Sequence, residues 1–388
     1  MNSKKKIAIL GSTGSIGGNT LEVIAASDRF EVVGLACGHN LRLLRQQIQR
    51  FRPGWVSVAA REDAIRLREE FPSLSVAWGE AGLVEVASIP EADLVVSALV
   101  GARGIAPTLA AIEAKKDVAL ANKEVLIAAG ELMTRAARAR DVKLLPIDSE
   151  HSAIFQVLEK GQAVPPSLIR KITLTASGGP FLRRSYDTFS DITPDEALKH
   201  PNWLMGKRVT VDSATLMNKG FEVIEAFWLF GLPPRQIEVV IHPQSIVHGL
   251  VTFQDGNTLA CLSAPDMKAP IAFALSYPER IRTEVVTLDL LKVQQLTFEA
   301  PDFKKFPLLK LAYKALEQSG VYPCILNAAD EVAVAAFLDG RLSFSKLPGI
   351  VEQTLSDYDA LFDATLEGIL ATDQWARRHA KSLINGLS

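Results

Sequence analysis

Residues 6–10, Lys-Ile-Ala-Ile-Leu, run straight into Gly11-Ser12-Thr13-Gly14-Ser15-Ile16-Gly17, and the apolar spacing that follows is helical to about residue 26. A strand, a glycine-rich turn and a helix in that order leave few choices of fold. The turn lets backbone amides approach a pyrophosphate, and the helix N-terminus adds partial positive charge. The spacing is G-x-x-G-x-x-G rather than G-x-G-x-x-G, and the competing reading is a tight turn with no ligand. Position favours the ligand, because the turn follows the first strand and opens a βαβ unit. Further strands are expected at 32–36, 55–59, 75–78, 94–98, 118–121 and 143–147, with helical segments between them. That alternation predicts a doubly wound parallel sheet with right-handed crossovers.

The second strand leads into Cys37-Gly38-His39-Asn40, where an NAD-selective site would place an acid for the ribose 2'-hydroxyl. None is present. With His39, Arg42 and Arg45 close by, the pattern favours the 2'-phosphate of NADP, although both arginines also suit a solvated helix face. Asn122-Lys123-Glu124 follows the 118–121 strand, on the side of the crevice that takes the nicotinamide. Lys123 is a candidate for a substrate oxygen; the alternative is a helix start capped by Asn122.

Past the 143–147 strand, Ile154, Phe155, Val157 and Leu158 give residues 149–159 helical spacing. Asp148 and Glu150 therefore stand at a strand-to-helix junction. Two acids there suit a hard divalent cation, which takes several oxygen ligands. The plainer reading makes Ser149 an N-cap and Glu150 a favourable charge at the helix start.

After Pro165-Pro166 a second α/β region begins. A strand at 171–176 enters Ser177-Gly178-Gly179-Pro180-Phe181, a turn able to bring amides near an anion. A short helix at 194–199, capped by Thr193, precedes a segment from His200 to Gly206. That segment reads as a lid in which Trp203 covers a ligand, or else as the seat of a buried structural Trp. An apolar helix follows as far as Phe230, and near its start Ser213, Asn218 and Lys219 offer hydroxyl, amide and ammonium groups to a phosphate. Glu222 lies where that helix has little polar surface, so its carboxylate needs a partner. A cation shared with Asp148 and Glu150 is one solution; a polar edge made with Glu225 is the other. Strands at 237–241, 245–253 and 258–263, with the Asp255-Gly256-Asn257 turn, predict an open sheet face suited to self-association. Residues 277–302 read as a linker. From 307 onward the pattern is a helical bundle, with Asn327, Asp330 and Glu331 expected as capping and surface residues.

Length and composition set limits on these readings. With 388 residues and 48% hydrophobic content, the chain is long enough for about two or three domains. A formal charge of -2 argues against a nucleic-acid binder. Cys37, Cys261 and Cys324 are too few and too scattered for a disulfide framework or a cysteine zinc site. The short stretch before the first strand holds no targeting peptide, and no uncharged apolar run reaches membrane-spanning length, so a cytoplasmic protein is expected.

Six motifs occur together and in order: Gly-Ser-Thr-Gly-Ser-Ile-Gly at 11–17, Ala-Asn-Lys-Glu at 121–124, Asp-Ser-Glu-His at 148–151, Ser-Gly-Gly-Pro-Phe at 177–181, His-Pro-Asn-Trp at 200–203 and Ser-Ala-Thr-Leu-Met-Asn-Lys-Gly at 213–220. With them the chain closely resembles the 1-deoxy-D-xylulose 5-phosphate reductoisomerase family over nearly its whole length. The resemblance implies a Rossmann-like domain over 1–148, a catalytic α/β domain over 149–276, a linker over 277–302 and a helical domain over 303–388, assembled as a homodimer. It implies Mg2+ or Mn2+ on Asp148, Glu150 and Glu222, with Ser149 and Lys123 touching substrate beside them. Ser177, Ser213, Asn218 and Lys219 fall at phosphate and substrate positions, His200 at a lid contact and Trp203 at the lid aromatic. NADPH positions fall on Thr13, Gly14, Ser15 and Ile16, on Gly38, His39 and Asn40, and on Asn122, Glu124 and Gly206. The family often has a basic residue where His39 stands, which bears on the strength of NADP preference. The implied reaction is retro-aldol cleavage, aldol recombination to a branched aldehyde, and reduction by NADPH to 2-C-methyl-D-erythritol 4-phosphate for isoprenoid precursors. A simple NADP-dependent dehydrogenase and a non-catalytic dinucleotide sensor are the rivals, and neither needs Glu222.

Overall fold

The computed structural model describes residues 4–158, 164–199, 206–359 and 362–387. Two compact units account for them: Met1–Val125, Met133–Ser152 and Asp266–Val285 belong to one, and Leu126–Leu132, Ala153–Pro265 and Val286–Ser388 to the other.

The first unit is built on seven strands: β1 (Lys5–Leu10), β2 (Phe30–Ala36), β3 (Trp55–Val58), β4 (Ser75–Trp78), β5 (Leu94–Ser97), β6 (Asp117–Leu120) and β7 (Leu144–Pro146). They lie in the order β4-β3-β2-β1-β5-β6-β7, every pair parallel. All seven expected strands are present, each within two residues of its expected limits. The run Ile7, Ala8, Ile9, Leu10 is fully buried, as a parallel strand covered by helices on both faces must be. From β1 the chain builds outward to β4, then crosses back to β5 on the other side of β1. A sheet that reverses direction this way leaves a crevice beyond the carboxyl ends of its central strands. The helix Lys268–Ser276, which the sequence reading groups with residues 149–276, packs on the helix Ser15–Ala25 and against β6 and β7 of this unit.

The second unit carries a four-stranded sheet in the order β11-β10-β8-β9, from β8 (Ile169–Ala176), β9 (Ile237–Ile241), β10 (Val247–Phe253) and β11 (Thr258–Leu262). β8 and β9 are parallel and the other pairs antiparallel. The crossover from β8 to β9 contains the helices Lys207–Ala214 and Met217–Phe230. Beyond the sheet, helices Pro307–Gln318, Tyr322–Leu338, Leu347–Ser356 and Leu366–Asn385 form the expected bundle. One apolar cluster runs from Ile172 and Leu174 on β8 through Phe221 to Leu309, Ile325, Phe337 and Ile384. Among the described residues, no helix is long and apolar enough to cross a membrane.

One expectation fails in the bundle. Asn327 and Asp330 are not surface residues; they are 0% and 1% exposed, and Glu331 is half-buried. Their partner comes from outside the bundle. The Arg208 guanidinium donates to Asn327 Oδ1 at 2.8 Å, Glu331 at 3.0 Å and Asp330 at 3.3 Å, and lies 3.6 Å from Asp212. Arg377 adds hydrogen bonds to Glu331 at 2.8 Å and to Asp373 at 2.7 Å. Burial pushes the Asp330 carboxyl up. Burial acts the same way on Glu331, but hydrogen bonds from Arg377 and the charge of Arg208 outweigh it and hold that carboxyl below its usual range.

Replacing Arg208 by Met leaves acids buried without their cation, a change that typically costs about 3–5 kcal/mol. Thermal unfolding of R208M is expected to show a Tm several degrees below wild type, and an unchanged Tm would contradict the pairing.

Candidate active site

In the first unit the glycine turn has the geometry its sequence calls for. Gly11 has a φ of +90°, and a Cβ there would lie 2.4 Å from the Ala98 carbonyl oxygen, so only glycine fits. The Gly11 and Ser12 amides both donate to Ala36 O at 2.9 Å, tying the turn to the end of β2. The helix starts at Ser15 behind a Gly14 cap, and its first-turn N–H groups have no acceptor within the helix. Gly14 and Ser15 are exposed, Thr13 and Ile16 half-buried, and Gly38, His39 and Asn40 exposed. The turn therefore fits a pyrophosphate. Asn40 Oδ1 accepts from Leu43 N at 3.2 Å and caps the helix Leu41–Phe51. Of the two arginines that follow Gly38, His39 and Asn40, Arg45 is held by Glu70 at 2.6 Å.

Asn122, 1% exposed, fixes the start of the helix Lys123–Arg140. Its Oδ1 caps Val125 N at 3.2 Å, and its Nδ2 donates to Leu99 O at 2.5 Å and Gly101 O at 3.2 Å. The capping reading of Asn122 is therefore correct, and the cap also sets where Lys123 emerges. Lys123 Nζ reaches Asp148 Oδ2 at 3.2 Å, and Glu124 is buried beside it in sequence.

Asp148 ends the β7 connection, and the helix Ser149–Leu158 begins at the next residue. Ser149 Oγ donates to the Glu150 carboxylate. Both acids are half-buried and offer hard oxygen donors within one helix start, a set that suits Mg2+ or Mn2+ rather than a softer metal. His151, for which the sequence suggests no role, is fully buried with Nδ1 3.5 Å from Asp148 Oδ1. The signal was its i,i+3 spacing from Asp148, which puts both on one helix face.

In the second unit Gly178 and Gly179 are consecutive left-handed residues, with φ of +86° and +67°. A Cβ on Gly179 would lie 2.6 Å from Ser213 O, so the turn that carries Ser177 is pressed against the segment that carries Ser213. Ser177 Oγ accepts from Gly179 N at 3.3 Å. The single helix expected as far as Phe230 is in fact two, Lys207–Ala214 and Met217–Phe230, broken at Leu216 with a φ of +60°. For a leucine that conformation costs about 1–2 kcal/mol, and such strain concentrates at functional segments. The break puts Asn218 and Lys219 in the first turn of the second helix, where amides point outward. Asn218 Nδ2 donates to Glu222 Oε1 at 2.6 Å, and Lys219 Nζ donates to Glu222 Oε2. Glu222 and Glu225 are 1% and 4% exposed, so they do not form a solvated polar edge. Gly206 is the exposed cap of the helix Lys207–Ala214. His200 and Trp203 lie outside the described residues.

Comparison with known proteins covers most of the chain. The family model for 1-deoxy-D-xylulose 5-phosphate reductoisomerase matches residues 7–130, its C-terminal domain model matches 144–230, and a DXP reductoisomerase C-terminal domain model matches 262–379. The 1-deoxy-D-xylulose 5-phosphate reductoisomerase of Geobacter metallireducens is 52% identical over 99% of this chain and 100% of its own. That of Prosthecochloris aestuarii is 50% identical over 98% and 99%. Among solved structures, the Zymomonas mobilis enzyme in complex with NADPH superimposes with a TM-score of 0.92 at 40% identity, covering 98% of this chain and 99% of that one. A DOX-P reductoisomerase in complex with NADPH, fosmidomycin and magnesium gives 0.93 at 40% identity, covering 99% of each. The chain belongs to the 1-deoxy-D-xylulose 5-phosphate reductoisomerase family.

Proposed function

We propose that this chain converts 1-deoxy-D-xylulose 5-phosphate to 2-C-methyl-D-erythritol 4-phosphate, using NADPH and Mg2+ or Mn2+, in the non-mevalonate route to isoprenoid precursors. The reading rests above all on relatives of that name, half or more identical along essentially the full chain. Asp148, Glu150 and Glu222 hold the cation, NADPH lies along the glycine turn, and Ser177, Ser213, Asn218 and Lys219 hold the phosphate. When bound, the cation supplies polarisation of the substrate's oxygens and NADPH the hydride.

The chain's own residues do the rest. Lys219 and Asn218 hold Glu222 in one orientation inside a helix that keeps water away from it. Lys123, held at Asp148, directs its ammonium toward a substrate oxygen. Phosphate contacts far from the reacting carbons orient them. The family resemblance gives His200 and Trp203 the roles of a substrate contact and an aromatic cover, in keeping with the need to hold the aldehyde until it is reduced. The functional division is a dinucleotide domain over 1–148, which also brings Lys123 and Asp148 to substrate and metal, a metal- and substrate-binding domain over 149–276, whose helix Lys268–Ser276 packs with the first unit, a linker over 277–302 and a helical domain over 303–388. The working form is a cytoplasmic homodimer: three widely scattered cysteines suit a reducing compartment, and the edge strand β11 leaves Leu259 exposed as the start of a contact.

Glu222→Gln is expected to lower cation-dependent NADPH oxidation with 1-deoxy-D-xylulose 5-phosphate by about a hundredfold or more while leaving NADPH binding intact, because a direct ligand matters at least as much as the outer partners of a metal. Undiminished turnover would refute the metal assignment. Comparing kcat/KM for NADPH and NADH is expected to favour NADPH by at least about tenfold, the scale of a charge-assisted phosphate contact; equal values would refute the 2'-phosphate reading. Sedimentation is expected to give twice the chain mass, with Leu259→Lys shifting it toward the monomer, and a wild type that sediments as a monomer would remove the dimer.

A further inference from the structure

The helix Leu41–Phe51 buries three residues, Leu44, Gln47 and Ile48, and Gln47 is the polar one. Gln47 is 5% exposed and commits both ends of its carboxamide to a single residue. Its Nε2 donates to the Ser12 carbonyl at 2.8 Å, and the Ser12 hydroxyl donates back to its Oε1 at 2.8 Å. Ser12 is wholly buried, and its amide goes to Ala36 O at 2.9 Å. Every polar group of Ser12 is thus engaged, two of them by one side chain. A carboxamide presents a donor and an acceptor side by side in one plane, which neither a carboxylate nor an apolar side chain reproduces.

The placement gives this pair more than a packing role. Ser12 lies between Gly11, locked at a φ of +90°, and the residues where the chain turns into the helix Ser15–Ala25. The helix that carries Gln47 starts directly after Gly38, His39 and Asn40 and is capped by Asn40. One helix therefore borders the ribose end of the dinucleotide site at its first turn and grips the pyrophosphate turn two turns later.

We infer that Gln47 is a positioning residue for the dinucleotide. It holds Ser12, and through Ser12 the glycine turn, in the pyrophosphate-accepting form before the cofactor arrives. Without it the turn must be ordered at the moment of binding, and that cost is taken from affinity. The inference rests on the NADPH reading of the turn. A purely structural amide pair would instead lower stability and leave affinity alone.

Calorimetric titration of the full chain with NADPH and with NADH separates these cases, using Gln47→Leu, Gln47→Glu and Ser12→Ala, with Ile89→Ala, at a buried residue packed against Gly34, as a core variant that lowers stability. Q47L is expected to raise the NADPH Kd about tenfold, the scale of one buried hydrogen bond lost. The NADH Kd should rise by the same factor, because the pyrophosphate is common to both cofactors. Q47E keeps the acceptor but sets a buried carboxylate oxygen against the Ser12 carbonyl and puts negative charge beside the pyrophosphate turn, so it should bind no better than Q47L. S12A should weaken binding less in the Q47L background than alone. At saturating NADPH, kcat and the KM for 1-deoxy-D-xylulose 5-phosphate should stay at wild-type values. A Q47L chain that melts earlier, as I89A does, yet binds both cofactors normally would overturn the inference. So would a loss confined to NADPH, which would place the effect at the 2'-phosphate instead. If the wild type does not bind NADPH, the cofactor reading itself falls; if it does and the variants match it, only the role of Gln47 falls.

Discussion

The second unit is organised around charges taken out of water. Glu222 is 1% exposed and Lys219 3%, so neither is tolerable without the other, and helical spacing supplies the pairing: Asn218 and Lys219 precede Glu222 by four and three residues. The neighbouring helix repeats the device, with Arg208 four residues ahead of Asp212. Arg208 then extends it over a long chain separation to Asn327, Asp330 and Glu331. The stretch holding Ser213, Asn218 and Lys219 is therefore pinned at both ends by ion pairs rather than by apolar packing alone. Such pairs hold geometry well because a shifted partner leaves a bare charge behind.

This also explains where the sequence was readable and where it was not. Strand positions in the first sheet followed from short apolar runs between turn residues, and the Gly11 turn from sterics that admit no other side chain. These are local signals. The burial of Asn327 and Asp330 depends on an arginine more than a hundred residues earlier, and a helical pattern with an acid on it looks the same whether that partner exists or not. The break at Leu216 was invisible for a different reason: left-handed backbone is normally flagged by Gly or Asn, and here a leucine is held there without either. Gln47 sits in a Gln-Gln-Ile-Gln run whose members differ only in which face they occupy. Among the site residues, the glycine turn and Asp148 with Glu150 were legible because their neighbours in sequence set their geometry. Glu222 was singled out by the scarcity of polar residues around it, a statement about surroundings, while its nearest partners followed only from structure.

The two glycine turns proposed for anions are built differently. At Gly11 a single left-handed residue brings the chain against Ala98, and the amides come from the start of the helix at Ser15, where the macrodipole adds to them. At Gly178 and Gly179 two successive left-handed residues curl the chain itself and press it on Ser213, so the hydroxyls and amides brought together there come from two separated segments. The first arrangement needs only local sequence. The second needs the Ser213 backbone in place, and Ser213 is in turn held by the helix anchored through Arg208.

Cofactor choice follows the same logic of commitment. A basic side chain counts toward a 2'-phosphate only if no acid has claimed it, and Arg45 is claimed by Glu70 at 2.6 Å. That leaves Arg42 and His39, both exposed, beside a loop with no carboxylate. The loop thus withholds the acceptor that an NAD ribose requires, and discrimination comes as much from that missing acid as from attraction to the added phosphate.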